Sequence, residues 1–112
     1  MKAKNVLMNW QELPIGGFIL DAGSSVDYET GTWRTMKPVW HKEYCTNCLT
    51  CWVFCPEDAF VLKEGRRPSG KPRSEIQEIN LFHCKGCGLC VRECPVNKKG
   101  QKTAIELATE KI

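Results

Sequence analysis

YCTNCLTCWVFCP, at Tyr44–Pro56, and HCKGCGLCVRECP, at His83–Pro95, are the stretches that decide the fold of this protein. Each spaces four cysteines as C-x2-C-x2-C-x3-C and places a proline directly after the fourth. The second run repeats the first at an offset of 39 residues, and together they hold all eight cysteines of the 112-residue chain. The sequence therefore contains an internal repeat, and the chemistry of its thiols governs the fold.

This spacing is the signature of the bacterial two-cluster ferredoxins, in which each run binds a [4Fe–4S] cluster. In those proteins the first three cysteines of a run wrap one cluster, and the fourth ligates the other. On that rule we expect two [4Fe–4S] clusters, which we call cluster I and cluster II. Cluster I would be held by Cys45, Cys48, Cys51 and Cys94, and cluster II by Cys84, Cys87, Cys90 and Cys55.

Structural zinc and disulfides are the alternative uses of so many cysteines. Zinc sites made of four cysteines usually pair two C-x2-C knuckles across a spacer, whereas here a third cysteine follows at the same short spacing in both runs. Disulfides are typical of oxidising compartments, and the sequence shows no secretory signal pattern. We therefore expect metal-bound thiolates in the reducing cytoplasm.

The formal charge of +3 at pH 7 counts every cysteine as a neutral thiol. With eight thiolates around two cores of charge +2, the net charge becomes about −1, because bound metal must be counted. The positive sign is thus no argument for a nucleic-acid partner, and we expect none. We expect no membrane partner either, since the longest apolar run, LPIGGFIL at Leu13–Leu20, is too short to span a bilayer.

Two polar segments are rich in basic residues: RRPSGKPR at 66–73 holds four, and NKKGQK at 97–102 holds three. Two interpretations stay open. The segments are either solvated loops or a docking surface for an acidic protein, since opposite charges accelerate encounter. No aromatic residues alternate with these charges, as they do in sites for single-stranded nucleic acid.

The segments around the two runs predict an α+β fold. The short apolar runs AFVL (59–62) and INLF (79–82) are typical of strands, and a helical turn is expected before each fourth cysteine. The polar segment between the runs, KEGRRPSGKPRSE (63–75), predicts an exposed loop. Two such copies would give the pseudo-twofold bacterial 2[4Fe–4S] ferredoxin-like fold over residues 39–112. Residues 1–38, which show no lasting periodicity, would form an extended N-terminal arm for subunit docking.

The sequence upstream of the first run narrows the function. AGSSVDYETGTWRTMKPVWHKEYCTNC, at residues 22–48, resembles the delta subunit of the 2-oxoacid:ferredoxin oxidoreductases, the pyruvate-type enzymes. In that family a Gly-(Ser/Thr)-Trp-Arg segment and a Pro-led strand enter the first cluster motif. Here these are Gly31–Arg34 and Pro38–Val39.

The resemblance implies an electron-transfer subunit within a hetero-oligomer. Thiamine diphosphate, Mg and coenzyme A would act on partner subunits, and the two clusters would pass electrons from the 2-oxoacid, pyruvate by this resemblance, to an external ferredoxin. The chain itself shows no motif for the carbon chemistry, so no residue is expected to be catalytic. Trp33 and Arg34, of types enriched in interface hot spots, would anchor the arm to a partner subunit. Alternatively, Trp33 and Trp40 would cover cluster I.

Three other functions remain as alternatives. The first is a freely diffusing two-cluster ferredoxin, although those are usually short and strongly acidic. The second is the same subunit in a branched-chain 2-oxoacid oxidoreductase, because substrate recognition lies on partner subunits. The third is a zinc-stapled binding module for protein or nucleic acid.

Overall fold

The computed structural model describes residues 7–110. Its strands and α-helices are β1 Met36–Trp40, α1 Thr50–Phe54, β2 Phe60–Arg66, β3 Pro72–Ile79, α2 Leu89–Glu93, α3 Pro95–Lys98 and β4 Ile105–Thr109. Single 3-10 turns lie at Ile15–Gly17, Ser24–Asp27, Thr30–Trp33 and Lys42–Tyr44. The predicted mixture of short helices and strands is confirmed.

The strands form two antiparallel pairs that connect the two halves of the repeat. β1 pairs with β4, with Met36 opposite Thr109 and Trp40 opposite Ile105. β2 pairs with β3, with Phe60 opposite Ile79. The outer pair thus joins the strand before the first cysteine run to the strand after the second, and the inner pair joins the two strands between the runs.

The prediction of a loop over residues 63–75 is wrong, because most of that segment belongs to the β2–β3 hairpin. Only residues 67–71 form the turn, which is closed by the N–H of Arg67 donating to the carbonyl of Lys71 at 2.8 Å. These polar strands are ordered because cross-strand backbone pairing extends to the turn. Within β3, Arg73 also forms an ion pair with Glu75 at 2.8 Å. The segment is exposed, as predicted, but ordered as a β-hairpin.

The predicted strand at 79–82 is also wrong, since β3 ends at Ile79. The side chain of Asn80 accepts a hydrogen bond from the N–H of Phe82 at 3.1 Å. Its carbonyl accepts hydrogen bonds from the N–H groups of His83 and Cys84. An asparagine that bonds to the backbone in this way favours a turn over an extended strand, so the chain bends directly into the second cysteine run.

The core is small and partly built from thiols. Its buried members are Cys51, Phe60, Ile76, Cys90, Cys94, Ala104 and Ile105. Three of these seven are cysteines of the two runs, so the packing of the interior also determines where these thiols lie.

Asn97, in α3, forms hydrogen bonds that connect α3 to β4 across the basic segment between them. Its side-chain N–H groups donate to the carbonyls of Val91 at 2.9 Å and Ile105 at 2.7 Å. Its side-chain oxygen accepts from the N–H of Ala104 at 2.9 Å. One side chain therefore satisfies several backbone groups and holds β4 in place after the basic segment 97–102.

Two glycines let the N-terminal segment approach the second cysteine run closely. A Cβ at Gly31 would collide with the carbonyl oxygens of Leu81 and Phe82, and a Cβ at Gly86 would collide with that of Met36. Gly31 also donates its N–H to the carbonyl of Phe82 at 2.8 Å. Backbone packs directly on backbone at both points.

The division expected between residues 38 and 39 falls inside β1 and stays a prediction. The segment before β1 has many exposed apolar side chains, among them Trp10, Ile15, Phe18 and Leu20. The radius of gyration is 18.3 Å, against about 13 Å for a compact chain of this length. The molecule is therefore elongated.

Replacing Gly86 by Ala should lower the thermal midpoint Tm more than replacing Gly70 by Ala. Both glycines have positive φ, +66° and +85°, but only a Cβ at Gly86 meets another part of the chain. The shared backbone strain is about 1–2 kcal/mol, and the clash at Gly86 adds about 1–3 kcal/mol. Thermal unfolding followed by circular dichroism measures the difference; equal shifts would mean that β1 does not depend on this contact.

Candidate iron–sulfur site

Each cysteine run uses two left-handed residues to fold its loop. Asn47 has φ 54° and Leu49 has φ 63°, and their equivalents Gly86 and Gly88 have φ 66° and 80°. Leu49 and Gly88 directly precede α1 and α2. The same turns at equivalent positions wrap both loops in the same way.

The eight cysteines line two separate cavities. The first cavity is lined by four of the thiols, which come from both runs: Cys45, Cys48, Cys51 and Cys94. The second cavity is lined by the other four: Cys55, Cys84, Cys87 and Cys90. The fourth cysteine of each run therefore faces the cavity of the other run. These are the two groups named from the sequence.

Exposure of the thiols follows the repeat. Cys51 and Cys90, the third cysteines, are buried, whereas the second cysteines, Cys48 and Cys87, are exposed. The first cavity thus has two buried thiols, Cys51 and Cys94, and the second has one, Cys90, and each cavity has one exposed thiol. A redox group held there would be shielded from water on most sides and would approach the surface at one edge.

Burial also sets the proton affinity of the thiols. It raises the pKa of Cys51 to about 12 and that of Cys90 to about 11. Partial burial also raises the pKa of Cys48, but hydrogen bonds with Thr50 and Thr46 outweigh this effect and hold the pKa below its ordinary value. Thiols bind metal as thiolates, so metal binding has to displace protons from the buried pair.

The two cavities differ in detail. The hydroxyl oxygen of Thr50 lies 3.3 Å from the sulfur of Cys48, whereas the equivalent residue in the second run, Leu89, has no hydroxyl. Leu49 lines the first cavity, where the second run has glycine. Trp52, which directly follows Cys51, is 40% exposed on α1.

Arg34 connects the N-terminal segment to the second run and to the end of the chain. Its guanidinium donates to both carboxylate oxygens of Glu110, at 3.1 and 3.2 Å. It also donates to the carbonyls of Gly31 at 2.9 Å, Cys84 at 3.3 Å and Leu81. A hydrogen bond from Arg34 and its charge hold the pKa of Glu110 below its ordinary value.

The expectation that Arg34 faces a partner subunit is therefore wrong. Its side chain is 11% exposed and its donors are occupied within the chain. Trp33, by contrast, is 60% exposed. The sequence assigns both residues to the same interface. Only the contacts of Arg34 with the distant residues Leu81, Cys84 and Glu110 show that the two side chains have different roles.

Residues 7–110 contain neither a site for a single metal ion nor a membrane-spanning helix. Within that range, no three His, Cys, Asp or Glu side chains converge closely enough to hold a single metal ion. No helix formed by those residues is long and apolar enough to cross a membrane.

The sequence matches the 4Fe-4S dicluster domain family over residues 37–105. Pyruvate synthase subunit PorD of Thermotoga maritima is 42% identical over 104 residues, which cover 93% of this chain and 90% of that protein. The chain belongs to the PorD family. PorD of Methanocaldococcus jannaschii is 40% identical over 74% of this chain and 86% of its own. Ketoisovalerate oxidoreductase subunit VorD of Pyrococcus furiosus is 41% identical over 60% of this chain and 55% of its own.

The resemblance to delta subunits of 2-oxoacid:ferredoxin oxidoreductases is thus confirmed. The subunit carries two [4Fe–4S] clusters and transfers electrons. Its donor set fits these groups, because eight thiols in two sets of four line two cavities, and thiolate is the ligand that iron–sulfur clusters require.

Removing the Arg34 side chain should loosen the N-terminal segment. We expect Arg34→Ala to lower Tm by about 5–10 °C and to speed proteolysis before β1, since several buried carbonyls and Glu110 lose their donor. Lys37→Ala, which removes the same charge from β1, is the control. Equal effects of the two substitutions would mean that the loss of a positive charge, and not the loss of the hydrogen bonds of Arg34, lowers Tm and speeds proteolysis.

Proposed function

We propose that this chain is the electron-relay subunit of a pyruvate:ferredoxin oxidoreductase. The observation that carries the proposal is the 42% identity to PorD over 93% of the chain, which includes both cysteine runs. Pyruvate is favoured over a branched-chain 2-oxoacid because PorD of Thermotoga maritima and PorD of Methanocaldococcus jannaschii match 93% and 74% of the chain, against 60% for VorD and 52% for PorD of Pyrococcus furiosus. The same subunit in a branched-chain enzyme is the second candidate.

The ligands of the two clusters are proposed from the cavities. Cluster I would bind Cys45, Cys48, Cys51 and Cys94, and cluster II would bind Cys84, Cys87, Cys90 and Cys55. Support comes from the way these two groups line separate cavities. Because each fourth cysteine belongs to the other run, both clusters would tie the two halves of the chain together.

We also propose that the two halves are related by a pseudo-twofold axis. The left-handed residues recur at the same offset as the cysteines. The fourth cysteines also have nearly equal backbone angles, φ −67° and ψ 115° at Cys55 and φ −65° and ψ 119° at Cys94. The pairing of outer strands with each other and inner strands with each other is what such an axis requires.

A [4Fe–4S] cluster supplies a centre that accepts and releases single electrons at low potential. The chain's own residues bind it and limit access of water. Leu49, Ile76 and Val96 line the first cavity, and Phe60 and Leu107 line the second. Apolar cover of this kind and hydrogen bonds to sulfur tune the potential.

The carbon chemistry belongs to partner subunits in this proposal. Thiamine diphosphate, Mg and coenzyme A would act there, and an external ferredoxin would accept the electrons. The subunit would work in the cytoplasm, where its cysteines stay reduced until they bind iron.

Residues 1–38 would dock this subunit onto its partners. From residue 7 to residue 33 the segment carries four acidic residues and no basic one. Its apolar side chains are exposed, including Trp10 at 77% and Phe18 at 71%. Exposed apolar side chains concentrated in one segment are typical of an interface, and the acidic residues beside them would favour basic residues on the partner.

The crossed ligand sets predict which cysteine variants resemble one another. Cys94→Ser should give the same electron paramagnetic resonance spectrum as Cys48→Ser, and Cys55→Ser the same as Cys87→Ser. Iron should fall from about eight to about four atoms per chain in each variant. If Cys94→Ser instead resembled Cys87→Ser, each run would bind its own cluster and the crossing would be wrong.

Trp33→Ala should weaken assembly and leave both clusters intact. Trp52→Ala is the matched control, because Trp52 is also exposed but lies on α1, outside the N-terminal segment. Retention of this subunit by a tagged partner subunit, with iron content measured in parallel, tests the prediction. A wild-type chain that purified as a stable monomer would contradict membership of the complex, and equal losses for both variants would contradict docking by the segment.

A further inference from the structure

The surroundings of the second cavity are covered by the chain's own N-terminal segment. The imidazole of His83 lies 3.1 Å from the carbonyl of Val26, and Gly31 bonds to the carbonyl of Phe82. The ammonium of Lys85, which lines the second cavity, lies 4.8 Å from the centre of the Trp33 ring. The segment proposed to dock on partner subunits is thus attached beside cluster II.

The surroundings of the first cavity are basic. The tip of the β2–β3 hairpin forms an open groove with the first cysteine loop, and Cys48, Arg67 and Arg73 line it together. The second basic segment also lies beside the first cavity. The ammonium of Lys102 is 5.4 Å from the centre of the ring of Tyr44, the residue that directly precedes Cys45. Both basic segments therefore flank the cavity in which Cys48 is exposed.

The charges around the two cavities also differ in how they are paired. Near the second cavity, Lys85 forms an ion pair with Glu57 at 3.0 Å and Arg34 is paired with Glu110. Near the first, five basic side chains of the two segments take part in none of the ion pairs found within residues 7–110. These five are Arg66, Arg67, Lys71, Lys99 and Lys102. Their charges are available to a molecule outside the chain.

We propose that electrons pass through this subunit in one fixed direction. This inference rests on the proposed function. Electrons enter at cluster II, on the side attached to the docking segment, and leave at cluster I. There the two basic segments, 66–73 and 97–102, bind an acidic electron-acceptor protein. In each encounter one electron passes outward, so the acceptor is reduced by one electron and the subunit is oxidised by one. No bond is made or broken.

The basic side chains around the first cavity favour this direction, because a mobile acceptor has to bind at the exit surface and dissociate from it in every cycle. Opposite charges raise the rate of encounter without requiring tight binding. The entry side makes a lasting contact instead, which suits an apolar segment. An acidic acceptor would be repelled by residues 7–33 of the N-terminal segment, where all charged side chains are acidic.

Chemical cross-linking of the intact complex tests the direction. The complex is mixed with a strongly acidic two-cluster ferredoxin and treated with a carbodiimide, which joins carboxylates to lysines, and the links are mapped by mass spectrometry. We expect links from the ferredoxin to Lys71, Lys99 and Lys102. Links from the ferredoxin to Lys85 or Lys37 would overturn the proposal, as would finding Lys71 and Lys99 linked only to other subunits of the complex.

A charge reversal gives an independent test. Arg67→Glu should raise the KM for ferredoxin about tenfold at low ionic strength, leave kcat unchanged, and differ less from wild type at high salt. Arg92→Glu is the matched control, because Arg92 is exposed but lines neither cavity nor the groove. Equal effects of the two substitutions would overturn the proposed exit surface.

The proposed function and the proposed direction of electron flow would be contradicted by different results. A complex that reduces no ferredoxin would contradict the proposed function and this inference with it. A complex that reduces ferredoxin normally but cross-links through Lys85 would contradict only the direction.

Discussion

The placement of the thiols is the constraint on which the rest of the structure depends. Three of the seven residues in the buried core are cysteines, so the interior is built around two cavities more than around a continuous apolar centre. A core cluster of seven buried residues offers only a small apolar surface for packing. Residues such as Ile76 and Ile105 fill the space beside the cavities, and the short helices present thiols to them. Stability and redox function therefore draw on the same atoms.

The sequence before the first cysteine run is partly a structural element of the body. β1 pairs with β4, Arg34 bonds to Glu110, and Gly31 rests on the backbone of Leu81 and Phe82. These contacts bring the two ends of the described chain together at the second cysteine run. They also give the molecule two unlike sides, one covered by its own chain and one open and basic, although the repeat makes the two cysteine loops similar.

The sequence predicts what is local and repeated, and fails where distant contacts decide. The two groups of cysteines named from their spacing line two cavities, because short fixed spacings leave a loop few ways to fold. The hairpin at 63–75 was missed because its charged residues gave no apolar alternation, and pairing between strands supplies the order instead. Arg34 was assigned to a partner interface because arginine is enriched in interface hot spots. Its inward position depends on Glu110, 76 residues away.

The exposed apolar side chains before Trp33 have a consequence for how the protein must be produced. A free copy presents Trp10, Ile15 and Phe18 to water, and surfaces of that kind lead to self-association. A cell that made this subunit in excess of its partners would accumulate an iron-containing protein that is prone to aggregate. Synthesis in matched amounts with the other subunits, or rapid degradation of unassembled copies, would then be as necessary to its function as the clusters themselves.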